Sequence, residues 1–156
     1  MPIIFQEEFF KLKSKRKRAL GLDVGNKTVG MAVSDATWLI ASPLTLLKRS
    51  NLTADSKSLF SIYQQYDVCC IVAGLPLNMN GTQGPQAEVV HTFIDFLLKI
   101  QDIPVFLWDE RLSTVAVTRT LLDADLSRKR RSEVIDKMAA TYILQGSLDL
   151  CRTHEG

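Results

Sequence analysis

Six apolar residues in a row, Val68-Cys69-Cys70-Ile71-Val72-Ala73, restrict this chain to few folds. So short an apolar run reads as a strand, and without polar alternation it is a strand buried on both faces. Covering both faces takes helices, so the run predicts a layered α/β domain. Pro104-Val105-Phe106-Leu107-Trp108 reads as a second such strand. Helical stripes occur where cover is needed. Leu59, Ile62, Tyr63 and Tyr66 predict a helix over 53–66, capped by Thr53 or Asp55. Val89, Val90, Phe93, Phe96, Leu97 and Ile100 predict another over 86–100. Ser113 or Thr114 caps a helix to about Leu122, and Val134, Ile135, Met138, Ala139, Tyr142 and Ile143 mark a last one over about 132–150.

The first half of the chain opens differently. Residues 19–24 form a strand that stops at Gly25-Asn26, and residues 29–34 return from that turn as a hairpin. A third extended segment covers about 39–48, where Pro43 marks an edge position or an interruption. The expected product is a mixed five-stranded sheet flanked by helices. No strand–GxGxxG–helix opening is present, which excludes a Rossmann dinucleotide site. The 156 residues suit one domain, expected over 19–150. A basic N-terminal extension, 1–18, precedes it, and a short tail, 151–156, follows. Phe5, Phe9 and Leu12 are helically spaced, so the extension is expected to dock a short helix on the body.

Charge is localised. The net charge is only +2, yet ten of the 19 basic residues fall in two clusters. One comprises Lys11, Lys13, Lys15, Arg16, Lys17 and Arg18; the other is Arg128, Lys129, Arg130 and Arg131. Such concentration suits a polyanion, although a solvated tail and a solvated loop would look alike. No apolar run approaches the roughly 20 residues of a membrane span, so no membrane association is expected. The three cysteines, Cys69, Cys70 and Cys151, are no disulfide framework and show no zinc spacing. Buried free thiols and a cytoplasmic location are the expectation.

Four acids stand out by context. Asp23 lies inside the apolar first strand, Asp109 and Glu110 end the last buried strand, and Asp136 lies in an apolar helical stretch. Carboxylates are rarely placed in core strands unless paired or bound to metal. Gathered at one place they would repel, and a divalent cation relieves the repulsion; oxygen ligands suit Mg²⁺ or Mn²⁺. Such a site activates water and stabilises a leaving oxygen of a phosphodiester. Structural readings stand beside this one. Asp23 can cap the Gly25 turn, Asp109 can end a strand, and Asp136 can pair with Lys137 or Arg131. Strand alternation sends Asp109 and Glu110 to opposite sides, so only one of the two suits a shared site.

The segment Gly21-Leu22-Asp23-Val24-Gly25-Asn26-Lys27-Thr28-Val29-Gly30-Met31-Ala32-Val33-Ser34-Asp35 resembles the opening motif of the YqgF family, pre-16S rRNA nucleases also described as Holliday-junction-resolvase-like. The resemblance continues through Gly74-Leu75-Pro76 with Asn80-Gly81, and through Asp109-Glu110-Arg111-Leu112-Ser113-Thr114. It ends at Asp136 with Ala139-Ala140 and Ile143-Leu144-Gln145. It implies an RNase H-like fold and a metal-dependent endonuclease acting on a ribosomal RNA precursor or on branched DNA, as a monomer or a homodimer. By matching position it implies that Asp23, Glu110 and Asp136 are the catalytic, metal-holding carboxylates. Lys27, Arg111 and the Arg128, Lys129, Arg130, Arg131 run are then contacts to nucleic acid. Arg111 equally reads as a partner of Asp109.

Other classes fit parts of the sequence. An aspartate and glycines in a strand–turn–strand unit also occur in the phosphate loop of actin-like and sugar-kinase ATPases, which need two such domains where this chain has length for one. A non-enzymatic RNA-binding or assembly protein would use the basic clusters and not the acids. His91 and His154 have no partners at metal or triad spacing, and Trp38 and Trp108 read as packing residues.

Overall fold

The computed structural model describes residues 3–78, 80–112 and 128–155, with side chains described for all of these except 112, 128–137, 154 and 155. Along the chain lie β1 (Ile3–Ile4), α1 (Gln6–Lys11), a 3-10 turn (Leu12–Lys15), β2 (Arg18–Val24), β3 (Thr28–Ser34) and β4 (Ala41–Lys48). They are followed by α2 (Leu52–Gln65), β5 (Val68–Leu75), α3 (Pro85–Ile100), β6 (Val105–Asp109), a second 3-10 turn (Glu110–Leu112) and α4 (Arg128–Glu155).

The apolar run is β5, near the middle of one sheet of order β1-β6-β5-β2-β3-β4. It pairs in parallel with β2 on one side and β6 on the other, while β2–β3 and β3–β4 are antiparallel. The five expected strands are all present, and a sixth is added by the N-terminal segment. There Ile3 and Ile4 pair in parallel with Val105 and Phe106. Two residues carry no periodicity, so this strand leaves no pattern to read. Pro43 lies on β4, the outermost strand, beside a register slip: Met31 faces Thr45 while Ala32 faces Pro43. An edge strand tolerates the missing N–H.

Two apolar clusters cover the two faces. Leu20, Leu22, Ile71, Ala73 and Val105 face α2 and α3, contributing Leu59, Val90, Phe93 and Leu97. Ala19, Cys70, Val72 and Trp108 lie on the other face, in one cluster with Ala140, Ile143 and Leu144 of α4. α1 docks on that second face as expected: Phe9 is fully buried, stacked 4.6 Å from Phe106 and 4.9 Å from Trp38. Trp38 donates its Nε1 proton to the Lys17 carbonyl at 2.8 Å, which ties the extension to the body. All three cysteines are free and buried. No helix among the described residues is long and apolar enough to cross a membrane.

Two boundaries differ from expectation. α2 is capped by Asn51, whose side-chain oxygen accepts from Ala54 N at 2.8 Å, so Thr53 and Asp55 fall inside its first turn. α4 is longer at both ends than expected, and Arg128–Arg131 open it rather than forming a loop. Arginine and lysine are good helix formers, and their basic run hides that start from an apolar pattern. The helix expected from Ser113 or Thr114 to Leu122 lies outside the described residues.

Candidate active site

Asp23 sits one residue before the end of β2, where glycines flank it on both neighbouring strands. Gly30 of β3 is its direct partner, and the β2–β5 register that pairs Leu22 with Ala73 brings Gly74 alongside next. Side chains alternate along a strand, so Asp23 shares the face of Gly21, two residues back. That face is covered by α4. A Cβ built on Gly21 would lie 2.8 Å from Leu144 Cβ and 2.9 Å from the Ala140 carbonyl oxygen. The helix backbone therefore approaches β2 as closely as a glycine permits, one step from Asp23.

Glu110 reaches the same place from the other side. Gly74 pairs with Trp108 of β6, and Glu110 begins the 3-10 turn just beyond that strand. It is 6% exposed, a carboxylate drawn inside at the sheet's end. A Cβ on Gly74 would stand 2.5 Å from Ile143 Cδ1 and 3.3 Å from Glu110 Cγ. Gly74 thus leaves a gap that Glu110 leans over and α4 roofs. Asp23 and Glu110 approach it from the strands on either side of β5, whose neighbours lie roughly 5 Å away on each side.

The third predicted carboxylate belongs to α4. This helix runs against β2: Ala140 and Leu144 lie over Gly21, while Cys151 joins the apolar cluster of Ala19 and Cys70, which pair near the starts of β2 and β5. Asp136 is one turn before Ala140, about 6 Å along the helix axis. Asp23 is two residues beyond Gly21, about 7 Å along the strand. The backbone positions of Asp136 and Asp23 therefore come level at the same end of the sheet. The Asp136 side chain lies outside the described residues, as do those of Arg128, Lys129, Arg130 and Arg131. Among the described residues no group of three or more His, Cys, Asp or Glu side chains gathers as a metal site.

Asp109 goes elsewhere. Its carboxylate accepts from Arg111 Nε at 3.0 Å, from Arg111 Nη2 at 2.7 Å and from the Arg111 backbone N–H at 3.0 Å. The hydrogen bonds from the Arg111 side chain hold the Asp109 carboxyl below its ordinary range, against the opposing effect of burial. The guanidinium also packs against the loop after β5, its Nη1 lying 3.5 Å from where a Cβ of Gly81 would be. That loop is closed by the Leu77–Gln83 bridge and by Asn78 N–H donating to the Thr82 carbonyl at 2.9 Å. Arg111 thus joins the end of β6 to the end of β5.

Lys27 is exposed in the β2–β3 turn, beside the end of β2 that carries Asp23. Arg49, a residue without any sequence signal, holds this turn. Arg49 Nη1 donates to the Gly25 carbonyl at 2.8 Å, and the Arg49 backbone N–H donates to the Lys27 carbonyl at 2.8 Å. Arg49 in turn pairs with Asp55, 2% exposed, at 3.5 Å, and its guanidinium lies 5.2 Å from the Phe93 ring centre. An exposed-looking arginine after a strand and an acid in a helix's first turn are ordinary residues in sequence. Only tertiary contact makes them a strut behind the site.

A donor set of carboxylate oxygens at a gap kept open by Gly74 fits a hard divalent cation.

A sequence profile of the family described as RuvX, Holliday junction resolvase, matches residues 17–150. A protein of Paramagnetospirillum magneticum named "Putative pre-16S rRNA nuclease" is 49% identical over 149 residues, 96% of each chain. One of the same name from Myxococcus xanthus is 53% identical over 135 residues, 86% of this chain and 89% of that one. Among solved structures, Thermus thermophilus RuvC in complex with a Holliday junction substrate superposes with a TM-score of 0.55 at 12% identity, covering 90% of this chain and 96% of the other. That likeness establishes the RNase H-like fold.

Proposed function

The chain belongs to the RuvX family, and on that premise we propose that it is a metal-dependent endonuclease trimming the 5′ end of the 16S ribosomal RNA precursor. The reading is supported by Glu110 Cγ, 3.3 Å from where a Cβ of Gly74 would stand, with Asp23 on the adjacent strand β2 and α4, the helix that bears Asp136, packed over the same face. Asp23, Glu110 and Asp136 hold Mg²⁺ or Mn²⁺ in this reading. The bound ion supplies Lewis acidity and a water of lowered pKa at the scissile phosphate. The chain's own residues do the rest. Gly74 and Gly30 keep the floor clear of side chains, so a phosphate can approach the backbone. The Arg111–Asp109 pair stiffens the margin formed by the β5 and β6 ends. Lys27 and Arg128–Arg131 offer positive charge at the same pole of the sheet, where a phosphate backbone must pass. The ribosomal substrate is the one in the relatives' name, and we place the activity in the cytoplasm, where three free thiols persist.

A second substrate is favoured by the family's description as resolvases: a four-way DNA junction. One experiment separates the readings. Wild type and Asp23→Asn are given a 5′-extended 16S precursor fragment and a four-way junction, each with Mg²⁺ or Mn²⁺. We expect cleavage of the precursor, falling at least a hundredfold in Asp23→Asn, and little cleavage of the junction. Junction cleavage by a dimeric species would transfer the activity to DNA. Cleavage that survives the substitution, or that needs no metal, would overturn the site.

A further inference from the structure

The N-terminal basic cluster has no part in the site just described, because it lies at the other pole of the sheet. Arg18 begins β2 and Asp23 nearly ends it, five residues on, about 17 Å away. The extension is nonetheless built into the fold. β1 pairs with β6, Phe9 is fully buried, and Trp38 holds the Lys17 carbonyl. Its basic side chains therefore project from a fixed base. Lys11, Lys15, Arg16, Lys17 and Arg18 are all exposed.

Arg16 is the centre of this surface. It terminates the 3-10 turn in the left-handed backbone region, at φ 55, with its N–H donating to the Lys13 carbonyl at 3.1 Å. A non-glycine residue enters this region at a cost. Here it sets Arg16 on the rim shared by two shallow grooves. One is lined by Phe10, Lys11, Lys13, Ser14 and Arg16. The other runs past Arg16, Lys17 and Arg18 to Gln65, Tyr66 and Asp67. The acid in this second groove, Asp67, pairs with Lys17 at 3.4 Å, and the Arg18 guanidinium lies 5.8 Å from the Tyr66 ring centre. Glu7 and Glu8 sit in the first turn of α1, one end of the helix away from Lys11.

We propose that Lys11, Lys15 and Arg16 form a second nucleic-acid contact that grips the phosphate backbone of a structured substrate at the pole opposite the carboxylates. The contact takes only the identity of its ligand from the nuclease reading; its charge and geometry stand apart from it. Phosphates of one strand succeed each other at roughly 3.4 Å along a duplex axis, so a duplex laid along the sheet touches both poles over about five base pairs. The three groups proposed to make the contact are ammonium and guanidinium groups, which read phosphate charge and not bases. The contact therefore anchors substrate and leaves the chemical step alone.

The test is binding by the full chain carrying Asp23→Asn, with and without Lys11→Gln, Lys15→Gln and Arg16→Gln together. The probe is a fluorescent RNA hairpin with a single-stranded 5′ flank, titrated across 50–300 mM KCl. Each lost phosphate contact removes roughly 0.7–0.9 from the slope of log affinity against log salt. The triple variant is expected to show a slope shallower by about two and an affinity at least tenfold weaker at 100 mM salt. Lys11→Arg with Lys15→Arg keeps both. A DNA hairpin of the same sequence suffering the same loss assigns the contact to phosphate; a loss confined to RNA adds the ribose hydroxyl to what it grips. With Asp23 intact, the triple variant raises KM for the precursor fragment and leaves kcat unchanged. Unaltered slope and affinity with a native thermal transition would overturn the second contact, whatever the carboxylates do. A shallower slope in a protein that cleaves nothing would keep the contact and remove the nuclease reading.

Discussion

At the scale of single residues, the two neighbouring acids Asp109 and Glu110 have been given different work. Alternation along β6 predicts their separation, and the Arg111 contacts show where Asp109 goes. Glu110→Gln is expected to lower cleavage at least a hundredfold while leaving the denaturation midpoint near that of wild type; a variant that cleaves normally would remove Glu110 from the site. Asp109→Asn should behave in the opposite sense, with partial activity and lower stability. The pH dependence of that loss has a definite sign. The Asp109 carboxyl is held below its ordinary value in the folded chain, chiefly by hydrogen bonds from Arg111. Its contribution is therefore complete above the unfolded carboxylate pKa, near 4, and disappears as pH falls through the lower folded value. Urea midpoints of wild type and Asp109→Asn should differ at pH 6 and converge toward pH 3. A gap that widens on acidification would contradict the pairing. Arg49→Ala strikes the strut behind the Gly25 turn. It leaves the buried Asp55 carboxylate without its ion-pair partner, keeping the Ser50 N–H, and should cost about 2–4 kcal/mol in chemical denaturation, with a loss of activity beyond what unfolding explains.

Elements were legible to the extent that they carry a period. β5 and β6 announce themselves as uninterrupted apolar runs, α2 and α3 as stripes, and the β2–β3 hairpin by its Gly25-Asn26 turn. β1 did not, since two isoleucines become a strand only because β6 has a vacant edge beside Phe9's pocket. The same rule holds within the site. Asp23 is conspicuous as an acid in a core strand, whereas Gly21 and Gly74 declare their purpose only through α4, which touches both from far downstream in the chain. The close approach of α4 makes a sharp prediction. Gly21→Ala sets a methyl 2.9 Å from the Ala140 carbonyl oxygen, which is backbone and cannot rotate away. The helix must lift, at a cost of about 1–3 kcal/mol, and Asp136 lifts with it. Activity should fall further than the thermal transition does; normal activity in a folded Gly21→Ala protein would detach α4 from catalysis. For α1, Phe9→Ala empties the pocket between Phe106 and Trp38 and should cost about 3–5 kcal/mol if the extension unfolds with the body. A smaller cost accompanied by protease cleavage near Lys11 would mean that the extension opens separately.

For the molecule as a whole, the sheet is polarised. Carboxylates, glycines and the basic start of α4 share one pole, while the exposed lysines of the extension occupy the other. A domain of this size has only about 5–15 kcal/mol of stability, and in the proposed reading the mutual repulsion of carboxylates at one end of its sheet works against it. Metal binding reverses that effect by linkage, because the folded chain presents the ligands together and the unfolded chain does not. The two states should therefore respond oppositely to the same substitution. In EDTA, Asp23→Asn removes a repelling charge and should melt a few degrees above wild type. With Mg²⁺ or Mn²⁺ at roughly a hundred times its Kd, wild type gains about 2.7 kcal/mol, on the order of 5–10 °C for a chain of this length. Asp23→Asn should gain little, so the order of the two melting temperatures inverts on adding metal. Differential scanning fluorimetry reads this without any substrate. Parallel shifts in both proteins would place the cation elsewhere on the chain, and a wild type more stable than Asp23→Asn in EDTA would mean that the carboxylate is held by the protein itself and not kept for a metal.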